Sequence, residues 1–265
     1  MNNIFRFGTS HDEGFWGTPD VFFDPFPSTV QYLQERGKNQ ITSVELTDQS
    51  VQDAFNGDFG VFEAIVVSEG VGEEPDERSI DLKAIANLSP QSYQLINQFV
   101  SGGGCLILTG DHGDGEDEFL NDAFGYNVTV VDADEEPPPD TFLIQLGAAG
   151  TQFEGGPPVL LSADASEVFS NTPGTTIYNG AEGVIVFTDQ FVLGTVTVIG
   201  WDYCCTPPEE EGPILDWFEV VNRAFDQCEP PVSNVPTLSE WGLISMAGIL
   251  GIVGFMVMRR RKVAA

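Results

Sequence analysis

The stretch Phe99-Val100-Ser101-Gly102-Gly103-Gly104-Cys105-Leu106-Ile107-Leu108-Thr109-Gly110-Asp111-His112 contains a helix end, a three-glycine stop, a buried strand and a polar turn. Upstream of it Tyr93, Leu95, Ile96, Phe99 and Val100 recur at helical spacing, behind Ser89 as N-cap and Pro90 at the first helical position. Cys105 to Thr109 is an apolar run that reads as a strand, and the nearly continuous apolar character of Phe62 to Ser68 argues for a strand covered on both faces. A helix feeding directly into such a strand is the building unit of a parallel sheet.

The same alternation extends outward. Ile4 to Gly8, Ile41 to Leu46 and Phe62 to Ser68 read as strands, Ser28 to Arg36 as a helix stopped by Gly37, and Glu116 to Phe124 as a short helix. The fold class is α/β: a three-layer, mostly parallel sheet. After Asn127 to Val131 the pattern breaks, and three prolines with repeated acids fill Asp132 to Asp140. Residues 132–180 are therefore expected to form an irregular or β-rich insertion, not a second domain. Gly183 to Phe187 and Gly194 to Trp201 predict a hairpin-like pair ending the sheet, and Ile214 to Phe225 a closing helix. Residues 1–228 are thus one domain, 229–234 a linker and 235–265 a tail, with no internal repeat.

The tail has three parts: Val235-Pro236-Thr237-Leu238-Ser239-Glu240-Trp241-Gly242, an apolar run from Leu243 to Met258, and Arg259-Arg260-Arg261-Lys262. Residues 241–258 carry no charge, and as a helix they would reach roughly 27 Å, close to the ~30 Å hydrocarbon core of a bilayer. Trp241 suits the water–lipid boundary, and the cations 259–262 predict a cytoplasmic C-terminus, leaving everything upstream outside. Gly248, Gly251 and Gly254 line a strip along which another transmembrane helix can approach closely. A buried core helix is the alternative, but such a helix has no use for an Arg-Arg-Arg-Lys terminus.

On Pro236, Thr237, Leu238, Trp241, Gly242 and the cluster Arg259, Arg260 and Arg261, the tail resembles the IPTL-CTERM sorting domain, with Val235 in place of isoleucine. The resemblance implies export and recognition by an exosortase-type membrane protease-transpeptidase. Proteins with such tails begin with a secretion signal. Met1-Asn2-Asn3-Ile4-Phe5-Arg6-Phe7-Gly8 has neither a basic leader nor an apolar stretch of sufficient length, so either a start lies further upstream or the tail is the only insertion signal. Because Ile4 to Gly8 reads as a first strand, the upstream start is expected.

The chain has 41 acidic and 10 basic residues, and four of the ten bases fall in the terminal cluster. Nucleic acid and anionic lipid are poor partners for such a surface, whereas a saline or divalent-cation-rich exterior suits it. With 42% hydrophobic residues and 20 Phe, the chain is rich enough in apolar side chains to build a core. Four cysteines in an exported protein point to pairing, with Cys228 placed to close onto Cys204 or Cys205. Cys105, inside its apolar run, reads as a buried free thiol. Cys204-Cys205 lacks the spacing of a zinc knuckle or a Cys-x-x-Cys motif.

The run Phe99 to His112, with Gly194 to Asp202 ahead of a helix containing Asn222 and Ala224, is similar to class I glutamine amidotransferase-like domains. That likeness implies a flavodoxin-like fold over most of residues 3–228. Amidotransferases of this family place a cysteine nucleophile on the turn after a central strand and a His–Glu pair late in the chain. Here that turn reads Gly110-Asp111-His112-Gly113, Cys105 lies at the other end of the strand, and His11 and His112 both fall in the first half. Nucleophilic cysteine chemistry is not expected.

Open α/β sheets bind ligands beyond the carboxyl ends of their strands. There the sequence places His11, Asp12 and Glu13, then Ser68 and Glu69, then Asp111, His112, Asp114 and Asp117, and finally Asp202. Asp111, Asp114 and Asp117 form an oxygen-rich set that suits Ca²⁺, and the two histidines with carboxylates suit a transition metal. The plainer alternative is that these residues cap helices and solvate loops. Two function classes emerge. One is an exported, membrane-anchored or sorted surface protein whose non-catalytic domain binds a glycan, ion or protein partner. The other is a membrane-tethered hydrolase using His11, Asp111 and His112.

Overall fold

The computed structural model describes residues 3–8, 40–45, 47–56, 64–68, 88–110, 115–132, 140–162, 166–201 and 211–228. The chain divides into two units, Met1–Glu229 and Pro230–Ala265, and the described residues all belong to the first. Among them no helix is long and apolar enough to cross a membrane. The expected span 241–258 and the helix read at Ser28 to Arg36 lie outside those residues.

Strands β1 (Asn3–Gly8), β2 (Gln40–Glu45), β3 (Ala64–Ser68), β4 (Cys105–Thr109) and β11 (Gly194–Ile199) lie side by side in the order β2-β1-β3-β4-β11, every neighbouring pair parallel. This half has the doubly wound order in which β1 lies between β2 and β3. The sheet continues through β10 (Val184–Phe191), β9 (Thr175–Asn179), β6 (Thr141–Ile144) and β7 (Val159–Leu161), while β5 (Thr129–Asp132) and β8 (Glu167–Ser170) pair off beside β10. Every pairing in this second half is antiparallel.

The sheet is therefore mixed, which corrects the mostly parallel expectation. Only Val192 and Leu193 separate β10 from β11, and a two-residue link permits a hairpin but no crossover. That hairpin does not end the sheet either. β11 pairs with β4 and β10 with β9, so the strands of residues 132–180 are a continuation of the sheet.

Helices α1 (Asp48–Asn56), α2 (Pro90–Ser101) and α3 (Glu116–Phe124) belong to one face and α4 (Glu211–Cys228) to the other. Three layers result, as the sequence predicts. On the first face Val51, Tyr93, Ile96, Val100, Phe119 and Leu120 cover Ile65, Leu106, Leu108 and Val198. On the other, Trp217, Val220, Val221, Ala224 and Phe225 cover Val66, Ile107 and Ile199. Leu95 and Phe99, expected on the inner side of α2, are only half-buried, while Ser92 is fully buried.

Ser92 is inside because it has a partner. Its hydroxyl donates to Asp48 Oδ1 at 2.6 Å, and the Ser89 amide donates to the same oxygen at 2.8 Å. α1 has few apolar residues to advertise it, burying only Val51 and Ala54. Its start is nonetheless written in a reciprocal cap: Ser50 N–H donates to Thr47 Oγ1 at 3.1 Å and Thr47 N–H to Ser50 Oγ at 3.0 Å. At the end of α2, Gly103 takes φ 107°, and at the end of α3, Gly125 takes φ 71°, both conformations that glycine adopts without penalty.

The Ser92 hydroxyl, and after it the Ser89 amide, hold the Asp48 carboxyl below its ordinary value of 3.8. A group whose folded pKa is depressed stabilises the fold above its unfolded value and loses that contribution as the pH falls through the folded one. Asp48→Asn is expected to unfold earlier in urea than the parent at pH 7. The gap should narrow only below pH 3.8, which parallel urea titrations across that range will show.

The cysteine pairing differs from both expectations. Cys105 is bonded to Cys228, with Cα atoms 5.3 Å apart, so it is not a free thiol and Cys228 does not close onto Cys204 or Cys205. The register accounts for this. α4 returns across β4 and ends beside the first residue of that strand, whereas Cys204 and Cys205 follow the far end of β11.

Candidate functional site

At the carboxyl ends of the parallel strands, Ser68, Thr109 and Ile199 lie in one row across β3, β4 and β11. Gly110 N–H donates to Ile199 O at 3.0 Å and extends that row by one residue. His11, Asp12, Glu13, Glu69, Asp111, His112, Asp114 and Asp202 fall outside the described residues. Asp117 is described, in the first turn of α3. One carboxylate oxygen accepts from Glu118 N–H at 2.9 Å and the other from Val130 N–H at 3.4 Å. Its carboxylate therefore ties α3 to β5. Among the described residues, no three His, Cys, Asp or Glu side chains gather as a metal would need.

Two carboxylates that the sequence reading passed over lie at this end of the sheet. Glu116, the first residue of α3, and Glu167, the first of β8, are both fully buried. The helix dipole favours an acid in the place of Glu116. Glu167 arrives from the antiparallel half: its N–H donates to Gly200 O at 3.1 Å, Ser166 bridges to Trp201, and its carboxylate lies over Gly110. A Cβ on Gly110 would collide with that carboxylate, and one on Gly200 with the Glu167 carbonyl. Glycine after each of two apolar strand runs was the available signal, since it marks close approach of another part of the chain. On the opposite face of β4, the Thr109 hydroxyl is buried with no hydrogen-bond partner among the described residues.

Burial also sets the state of the tyrosines. It pushes the Tyr93 phenol up to about 12, with the Asp122 charge adding to the effect. It raises Tyr178 as well, whose Oη donates to Pro157 O at 2.8 Å. Both phenols remain neutral and serve the core.

Residues 235–261 match the IPTL-CTERM motif. The chain therefore carries the C-terminal tail of a sorted surface or membrane-associated protein, of the kind an exosortase-type system recognises. No curated protein matches the chain. Among solved structures, the mmIFT52 N-terminal domain aligns with 88% of this chain and 99% of its own at 10% identity and TM-score 0.51. A β-galactosidase from Bacillus circulans sp. alkalophilus aligns with 89% of this chain at 10% identity and TM-score 0.50, over 32% of its own length. A ThuA-like protein from Bacteroides uniformis reaches TM-score 0.48 at 9% identity, covering 86% of this chain and 91% of its own. At such identities the likeness concerns the fold alone. None of the three is named as a glutamine amidotransferase.

Proposed function

We propose that this is an exported protein whose acidic α/β domain is held at the cell surface by its tail and acts there as a non-catalytic binding module. The observation that carries this reading is the IPTL-CTERM match at residues 235–261. It comes directly after the domain that ends at Glu229. In this reading residues 241–258 cross the membrane once, Arg259, Arg260 and Arg261 remain in the cytoplasm, and the domain faces outward. Pro236, Thr237, Leu238, Trp241 and Gly242 present the sorting signal. The ligand class is a glycan, an ion such as Ca²⁺, or a protein, met at the carboxyl ends of the parallel strands.

The test is the intact mass and membrane partitioning of the protein from its native host. A polypeptide ending near Pro236-Thr237-Leu238 would show that the tail is a processed sorting signal and that the domain is released or attached elsewhere. A full-length polypeptide in the membrane fraction would retain the anchor and remove the processing. A full-length polypeptide in the soluble fraction would overturn both.

A further inference from the structure

At the amino end of the central strands, the turn after α2 meets the β10–β11 hairpin. Thr195 N–H donates to Gly104 O at 3.1 Å, and Gln190 Nε2 to Gly194 O at 2.6 Å. A Cβ on Gly194 would run into the carbonyls of Val100 and Gly104. The hairpin is thus clamped against the end of α2, and its two tip residues project past the clamp.

Those residues are Val192 and Leu193, 67% and 72% exposed. Two-residue hairpin turns favour Gly, Asn and Asp because positive φ comes easily to them. Here Val192 holds φ 57°, a region a β-branched residue enters only at a steric cost. The tip therefore combines backbone strain with two aliphatic side chains in water. It stands on a firm base, with Phe191 packed edge-on against Phe124 and Tyr126 at centroid distances of 5.0 and 6.0 Å.

Charge distinguishes the two turns as well. In a chain of net charge −31, residues 84–110 and 190–201 contain no charged side chain, and they supply both turns. Asp189, the acid closest along the strand, accepts a hydrogen bond from Tyr126 Oη at 2.6 Å. The chain also leaves the domain here. Cys228 is bonded to Cys105, whose register partner Thr195 lies two residues past Leu193. Residues 229–240 then lead to the uncharged run 241–258, a connection that fully extended spans at most about 40 Å.

We infer that the Val192–Leu193 tip is a second membrane contact, entering the headgroup boundary of the bilayer that holds the tail. This rests on the anchored reading of residues 241–258. The occupant is a zwitterionic lipid surface: an uncharged apolar tip gains by entering the interface, while the domain's acidity opposes anionic headgroups.

The full-length chain in phosphatidylcholine vesicles, with and without brominated acyl chains, tests it. Read by difference against the background of Trp16, Trp201 and Trp217, the share of emission lost on W241F reports the tail, and the emission added by L193W reports the tip. Bromine is expected to quench both, the added emission by roughly twofold or more. In the unsubstituted chain, amide exchange at residues 191–194 should slow on reconstitution. Quenching of the tail share alone would overturn the tip contact and leave the anchor standing. A blue shift of the added emission without bromine quenching would mean that a protein or a second copy covers the tip, which also overturns it. Absence of quenching from both would overturn the anchored reading and this inference together.

Discussion

Gly110→Ala is expected to destabilise the domain by about 3 kcal/mol or more, at the upper end of what overpacking a core costs. The new methyl would occupy the place of the Glu167 carboxylate. That carboxylate cannot easily retreat. Its own backbone is held by the bond from Glu167 N–H to Gly200 O, and a Cβ on Gly200 would strike the Glu167 carbonyl. The group is also fully buried, so displacing it disturbs a polar side chain away from water. Urea titration should show a lower midpoint with an unchanged slope. In a double-mutant cycle, Glu167→Ala should recover much of the loss by vacating the volume, whereas Glu167→Gln, of nearly the same size, should not. A parent-like midpoint for Gly110→Ala would show that the side chain of residue 167 does not wedge the two halves of the sheet.

The parallel half was legible because its elements announce themselves locally. Ser89 and Pro90 fix where α2 starts, Gly102 to Gly104 fix where it stops, and β4 comes next as an unbroken apolar run with all five residues buried. α1 escaped because its sequence Asp-Gln-Ser-Val-Gln-Asp-Ala-Phe-Asn buries only two residues, with Phe55 half-buried against the core. Its signature is a side-chain cap between Thr47 and Ser50 rather than an apolar period. The antiparallel half was legible as strands but not as a sheet. Partners such as Leu143 with Asn179, or Val130 with Phe169, are far apart in sequence, and nothing local encodes which strand lies beside which.

The rim formed by the carboxyl ends of the parallel strands was legible in position, and the side chains that reach it were not. Doubly wound sheets bind at their carboxyl ends, and that rule is enough to locate the rim from the strand order alone. Glu167 reaches the rim only because β8 folds back from the insertion to bond with Gly200. Such a residue cannot be found by counting along the strands of the parallel half. Asp117 shows the converse. Its spacing from Asp111 and Asp114 suits a shared ligand, yet its carboxylate oxygens accept from Glu118 and Val130 amides.

The disulfide carries the other large expected effect. Cys105 and Cys228 are 123 residues apart, and closing a loop of that size removes enough freedom from the unfolded chain to stabilise the fold by roughly 4–5 kcal/mol. Replacing both by serine is expected to lower the melting temperature of a domain this size by about 10–15 °C. Both must change together, because a single replacement leaves a thiol able to exchange with the disulfide partners of other chains or with Cys204 and Cys205. The parent should lose the same stability in reductant, while the double variant should be indifferent to it. If reductant lowered the melting temperature of both proteins equally, the stabilising bond would lie elsewhere, at Cys204 or Cys205. The pairing also bears on placement. It fixes the last turn of α4 to the first residue of β4, so force transmitted along the tail enters the domain at a covalent staple. An untethered helix end would fray under the same load, whereas here α4 cannot peel from the sheet until the Cys105–Cys228 bond is reduced.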